Sequence, residues 1–310
     1  MVFKRLLALS SGGDRGAVLI GMLHSMYQTV GKKRCQWTQI SGISAGSIVG
    51  SLVSQTTPET FDIVMERARD MFELGGFHVI KPHTRWGTMI NAIDALLYYP
   101  SLFSNEAMKK LVKEQFSSDL MITPLSCGTY NRDMCEYETF YIKCGDSGEA
   151  IVASASVPIV FPPIEINGKM YQDGAISHII PVREIIAFLK EHRVCEVDVM
   201  VCYPISNRKE FFAANTPTNY LPLLEECFKT ITVQMLNTLL NDLQLLADYL
   251  EIDVLELSRS PCNTIKKNGQ TIHIYSPKNA KFTTFTDIKK EEMEKMYNDG
   301  KSVIQEYLKQ

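Results

Sequence analysis

Residues 37–53 read WTQISGISAGSIVGSLV. A β-prone run ends near Ser41, Gly42-Ile43-Ser44-Ala45-Gly46 turns the chain, and an apolar helical pattern follows to about Val53. A serine at the centre of G-x-S-x-G sits on a strained turn between strand and helix, where its hydroxyl is presented as a nucleophile. Gly42 and Gly46 suit that turn because side chains there would meet the adjoining strand and helix, and the helix N-terminus behind Ser44 adds positive potential. Five residues alone also fit a glycine-rich turn that merely packs well. The strand before and the helix after favour the nucleophile.

The same rhythm occurs upstream. Residues 3–9 (FKRLLAL) read as a short buried strand, 11–16 (SGGDRG) as a turn, and 17–29 as a helix. Strand, turn and helix, used twice, predict an α/β fold with a mostly parallel central sheet. The adjacent Gly12 and Gly13 let backbone N–H groups point into a shared space, an arrangement that can stabilise an oxyanion. A nucleotide loop is disfavoured. Gly16 is followed by Ala17-Val18 where a Walker motif needs Lys-Ser/Thr, and Ser11 occupies the first glycine position of a dinucleotide fingerprint.

Downstream, helices are expected over 59–73, 86–97, from Ser104 or Asn105 to about Gln115, and over 148–156. Residues 125–143 hold two strand-like runs suited to an antiparallel pair, and Val194–Tyr203 another strand. A long apolar helix is expected over 219–251 and a charged amphipathic one over 285–309. One domain is the better reading, with 1–205 as its core and 206–310 as a helical extension packed on it.

The totals narrow the classes. The 310 residues are 45% hydrophobic and 22% charged with a net charge of −3, a globular balance with no basic footprint for nucleic acid. The eight cysteines form no C-x-x-C pair, which removes the signature of a zinc or redox motif. The apolar run after Lys4-Arg5 is too short for a signal peptide, and no stretch approaches a spanning helix. Reduced thiols and a cytoplasmic setting are expected, with membranes met only peripherally.

Farther along stand Ala153-Ser154-Ala155-Ser156-Val157-Pro158-Ile159-Val160-Phe161-Pro162-Pro163 and then Asp173-Gly174-Ala175. By itself Asp-Gly is a common turn. Four elements in this order, Gly12-Gly13-Asp14-Arg15-Gly16, Gly42 to Gly46, Ala153 to Pro163 and Asp173-Gly174-Ala175, resemble the patatin-like phospholipases over roughly residues 5–205. That resemblance implies a three-layer α/β/α fold and a Ser44–Asp173 dyad acting on fatty-acyl esters of lipids or phospholipids, with no metal or other cofactor. It implies an oxyanion held by Gly12, Gly13 and Asp14, with Arg15, Gly16, Gly42, Gly46 and Gly174 in support. Arg15 could orient the loop, attract a lipid phosphate, or make a structural ion pair. Two departures stand out: Ser11 where the family has glycine, and Ser177-His178-Ile179-Ile180-Pro181 where it often has asparagines before the proline.

The six histidines, His24, His78, His83, His178, His192 and His273, lie in no recognisable motif. His178 is nearest Asp173 in sequence, so a triad through it is the competing arrangement; lone histidines are more often structural. Candidate lipid-docking segments are Leu221–Leu250, Phe211-Phe212 and a possible lid near Leu96–Phe103, although an apolar helical stripe is more often core. Two other functions fit the same residues. A thioesterase or acyltransferase would share the acyl-enzyme and is separated by a thioester assay. A non-catalytic lipid-binding protein would keep its effect in Ser44→Ala.

Overall fold

The computed structural model describes residues 3–79, 81–82, 101, 103–206, 222–278 and 290–309. The expected helix over 86–97, the lid residues 96–100 and 102, and Phe211-Phe212 lie outside these. In chain order the strands are β1 (Lys4–Leu9), β2 (Gln39–Ile43), β3 (Lys81–Pro82), β4 (Phe103–Ser104), β5 (Leu125–Asn131), β6 (Glu136–Tyr141), β7 (Ile164–Ile166), β8 (Lys169–Asp173), β9 (Cys195–Met200), β10 (Cys262–Lys267) and β11 (Gln270–Tyr275). The helices are α1 (Gly16–Val30), α2 (Ala45–Ser54), α3 (Phe61–Val79), α4 (Glu106–Gln115), α5 (Glu149–Ser154), α6 (Val182–Glu191), α7 (Pro222–Leu250), α8 (Val254–Ser258) and α9 (Lys290–Tyr307).

Among the described residues the main sheet runs β10-β11-β9-β1-β2-β5-β8-β7, with β6 also on β5. The pairs β11/β9, β9/β1, β1/β2 and β2/β5 are parallel, and the outer pairs are antiparallel. In β1, Leu6, Leu7, Ala8 and Leu9 are all fully buried, as are Val197, Val199 and Met200 in β9. Consecutive burial means that both faces of the sheet are covered, the pattern of a three-layer α/β/α arrangement. The chain first moves from β1 to β2, then places β9 on the opposite side of β1, so strand order reverses there. Sites in open α/β sheets form at such reversals, beyond the C-terminal ends of the strands.

The long helix α7 buries Leu239, Leu243, Leu246 and Leu250, so this part of its leucine stripe is core rather than a membrane contact. The region after residue 205 is not a purely helical extension. Residues 262–275 fold as a hairpin whose second strand pairs in parallel with β9. Asn268 and Gly269, at φ 53° and 84°, supply the two left-handed positions that a tight hairpin turn needs. None of the described helices is long and apolar enough to cross a membrane.

Candidate active site

Register brings Ser44 and Asp173 together. On β5, Gly128 pairs with Ile43, the last residue of β2, and the next residue, Thr129, pairs with Asp173, the last residue of β8. Because β6 pairs along the length of β5 on its other edge, β2 and β8 share one edge and end head to head. Ser44 follows Ile43 directly. The two side chains, 129 positions apart in sequence, therefore arrive at one point by strand pairing.

The turn carrying Ser44 is strained. Its φ of 55° and ψ of −122° lie outside the regions that non-glycine residues favour. Such a conformation costs about 1–3 kcal/mol and persists only where its surroundings over-determine it. Here the Ser44 N–H donates to Ser154 Oγ at 3.0 Å, and Ser154 donates onward to the Gly128 carbonyl at 2.6 Å. The Ser44 carbonyl accepts from Ser47 N at 2.9 Å, in the first turn of α2. A Cβ on Gly46 would lie 2.3 Å from the Leu9 carbonyl oxygen, and one on Gly42 would lie 2.3 Å from that of Gly46, so the strand and helix approach each other through both glycines.

Asp173 is 1% exposed and caps the short turn after β8, Oδ1 accepting from Ala175 N at 2.8 Å. Gly174 lies against the Gly128 carbonyl in that turn. Burial pushes the Asp173 carboxyl up to about 7, opposed by the Ser44 hydroxyl and the Ala175 amide. Oδ2 has no hydrogen-bond partner within 3.5 Å among the described residues. The Ser44 hydroxyl hydrogen-bonds this carboxyl and favours its ionised form, the arrangement of a nucleophile beside its base.

A cavity of about 370 Å³ is lined by Ser44, Asp173, Gly12, Gly13 and Asp14. Val157, Pro158, Ile176 and Met235 give it apolar walls, and α7 adds Thr230 and Gln234. Gly13, at φ 54°, takes a left-handed conformation at the start of the turn leading into α1. Dense packing pushes the carboxyl of the half-buried Asp14 up to about 7, against the pull of Arg15. Arg15 is buried with its guanidinium 5.2 Å over the Tyr203 ring, and burial brings its pKa down to about 10. Gly16 packs against Phe72 at the start of α1.

His178 lies elsewhere. Its Nδ1 is 2.6 Å from Asp242 Oδ1, and its ring stands edge-on to Tyr137 at 4.8 Å. Three further histidines have partners outside the cavity: His24 with Asp62 and Tyr297, His273 with Glu196, His192 against Phe188. Sequence reasoning gave no role of its own to Ser154, quoted only within the run from Ala153 to Pro163, or to Asp242, one of four acids in the leucine-rich α7.

Residues 7–186 match the family model described as patatin-like phospholipase. A "probable lipid hydrolase 463L" of Invertebrate iridescent virus 6 is 24% identical over 187 residues, 58% of this chain and 62% of the viral protein, so the match spans under two thirds of that relative. Among solved structures, VipD from Legionella pneumophila aligns over 99% of this chain and 67% of its own, with 14% identity and a TM-score of 0.48. The type III effector protein ExoU aligns over 76% of this chain and 53% of its own, with 12% identity and a TM-score of 0.30.

Proposed function

The chain belongs to the patatin-like phospholipase family, and from that membership we propose that it is a lipid acyl hydrolase of phospholipase A or lysophospholipase type working through a Ser44–Asp173 dyad. The observation that carries this reading is the single cavity in which Ser44, Asp173 and the Gly12–Gly13–Asp14 turn meet among apolar walls. The strained turn at Ser44, the raised carboxyl of Asp173 and the separate engagement of His178 support it.

In this mechanism Asp173 takes the Ser44 proton as Oγ attacks the ester carbonyl. Backbone donors of Gly12, Gly13 and Asp14 hold the oxyanion. The tetrahedral intermediate collapses, Asp173 passes its proton to the departing alkoxide, and an acyl-Ser44 ester remains. Water then gives its proton to Asp173 while attacking that ester, and Ser44 Oγ regains a proton as the fatty acid leaves. A free aspartate, with a pKa of about 3.9, is a weak base for a hydroxyl, and burial moves Asp173 toward a useful value.

In the same reading residues 1–205 form the catalytic core and 206–310 pack on it, with α7 walling the cavity. The protein acts in the cytoplasm and meets membranes peripherally. Arg15, buried over Tyr203 and on the cavity wall, orients the loop.

Fatty-acid release from phosphatidylcholine vesicles and lysophosphatidylcholine micelles tests the proposal. Wild type releases fatty acid, and Ser44→Ala and Asp173→Asn each lose about 10³-fold or more. Equal release by Ser44→Ala would overturn it. Faster turnover of an acyl thioester than of either lipid would reassign the leaving group.

A further inference from the structure

The segment at which the sequence departs from the family pattern, Ser177-His178-Ile179-Ile180-Pro181, is held by a residue far away in the chain. Asp242 of α7 is 1% exposed. Its Oδ2 accepts from Ile179 N at 2.6 Å and from Ile180 N at 2.9 Å, while Oδ1 meets His178 Nδ1 at 2.6 Å. One carboxylate thus gathers three consecutive residues.

The peptide unit joining Ile179 to Ile180 is used at both ends. Its N–H goes to Asp242, and its carbonyl, Ile179 O, accepts from Ser11 N at 2.8 Å. A buried charged acceptor polarises that peptide and strengthens the carbonyl as an acceptor. Ser11 is the residue before Gly12-Gly13. In the other direction His178 N donates to the Gly174 carbonyl at 3.0 Å, within the turn that Asp173 caps. The carboxylate therefore ties the Gly12–Gly13 loop on one side of the cavity to the Asp173 turn on the other.

We infer that Asp242 is a positioning residue, which sets the separation between the Ser11–Asp14 loop and the Asp173 turn across Ser44 by holding the Ile179–Ile180 peptide. The inference rests on the assignment of those two elements as oxyanion holder and base. It gives α7 a part in the site beyond walling the cavity. It also accounts for the departure at 178–181, because the Asp242 contacts with Ile179 and Ile180 are to backbone amides and need no polar side chain at those positions.

Two substitutions grade the contact. Asp242→Asn keeps an acceptor but removes its charge, and Asp242→Leu removes the acceptor at similar size. The readouts are kcat and KM on the lysophospholipid, melting temperature, and backbone amide exchange at Ser11 in the full chain. Asp242→Asn is expected to lower kcat about fivefold with KM within about twofold, because a neutral acceptor is roughly half as strong. Asp242→Leu is expected to lower kcat about 10²-fold, the scale of a lost oxyanion donor, and Ser11 exchange rises in the same order. If Asp242→Leu does not fold, Asp242→Asn carries the test. Wild-type kcat together with wild-type Ser11 exchange in Asp242→Asn overturns the inference, and so does a folded Asp242→Leu whose melting temperature falls while kcat stays. An inert wild type, or an active Ser44→Ala, refutes the hydrolase reading instead, and the exchange comparison still decides the positioning role.

Discussion

At the scale of single residues, Asp173 binds chemistry and stability together. In the unfolded chain it ionises near 3.8, and in the fold burial holds the proton to about 7. The folded state binds the extra proton between those values, so stability falls as pH rises from about 4 to about 7 and stays at the lower level above. Asp173→Asn removes that cost. It should raise stability by about 2–4 kcal/mol at pH 8 and change little at pH 4, read from denaturant melts at both pH values. Activity runs the other way, because the base must be ionised. For a neutral ester, kcat/KM should rise about tenfold per pH unit up to about 7 and then level off. Asp14 is also pushed up to about 7 in the same cavity, so Asp14→Asn is the control: the inflection stays if Asp173 is the titrating base. His178→Ala should keep kcat within about tenfold of wild type, since Asp242 and Tyr137 are its partners; loss of all activity would restore the triad.

At the scale of elements, legibility followed locality. The turn at Ser44 could be read because strand, glycines, serine and helix are contiguous, and β1, β2, α1 and α2 fall close to where the pattern predicts them. The hairpin of β10 and β11 is equally local in its signal, Asn268-Gly269 between alternating residues, yet a helical extension over 206–310 leaves no place for it. Its pairing with β9, some 75 residues earlier, carries no local signal at all. Asp242 was illegible for the same reason, since its partners lie more than 60 positions upstream. The Ser44 turn makes a prediction at this scale. Gly46→Ala places a methyl against the Leu9 backbone, which cannot swing aside as a side chain can, and should destabilise by about 3 kcal/mol, measured by chemical denaturation.

At the scale of the whole molecule, a buried ionic cluster joins parts of the chain distant in sequence. Asp198 of β9 takes Arg5 Nη2 of β1 at 3.0 Å, Arg34 Nη1 at 2.6 Å and Trp37 Nε1 at 2.7 Å. Glu196 pairs with Arg5 and Arg34 and with His273 of β11. Glu196, Asp198 and His273 lie close enough to suggest a metal site, but two guanidiniums already occupy their oxygens. Asp198→Ala leaves those cations buried beside a single remaining carboxylate and should cost about 3–5 kcal/mol, seen as a lower denaturation midpoint. The cluster holds the parallel centre of the sheet, whose strand ends in turn present the Ser44 turn and the cavity.

The central claim is that Ser44 is an activated nucleophile, and its most direct test is reaction with a fluorophosphonate probe followed by peptide mapping. The account predicts one adduct, on Ser44, absent from Ser44→Ala and at least about 10²-fold slower to form in Asp173→Asn. Labelling that persists in Ser44→Ala, or a wild type that resists the probe with lipid vesicles present, would contradict it.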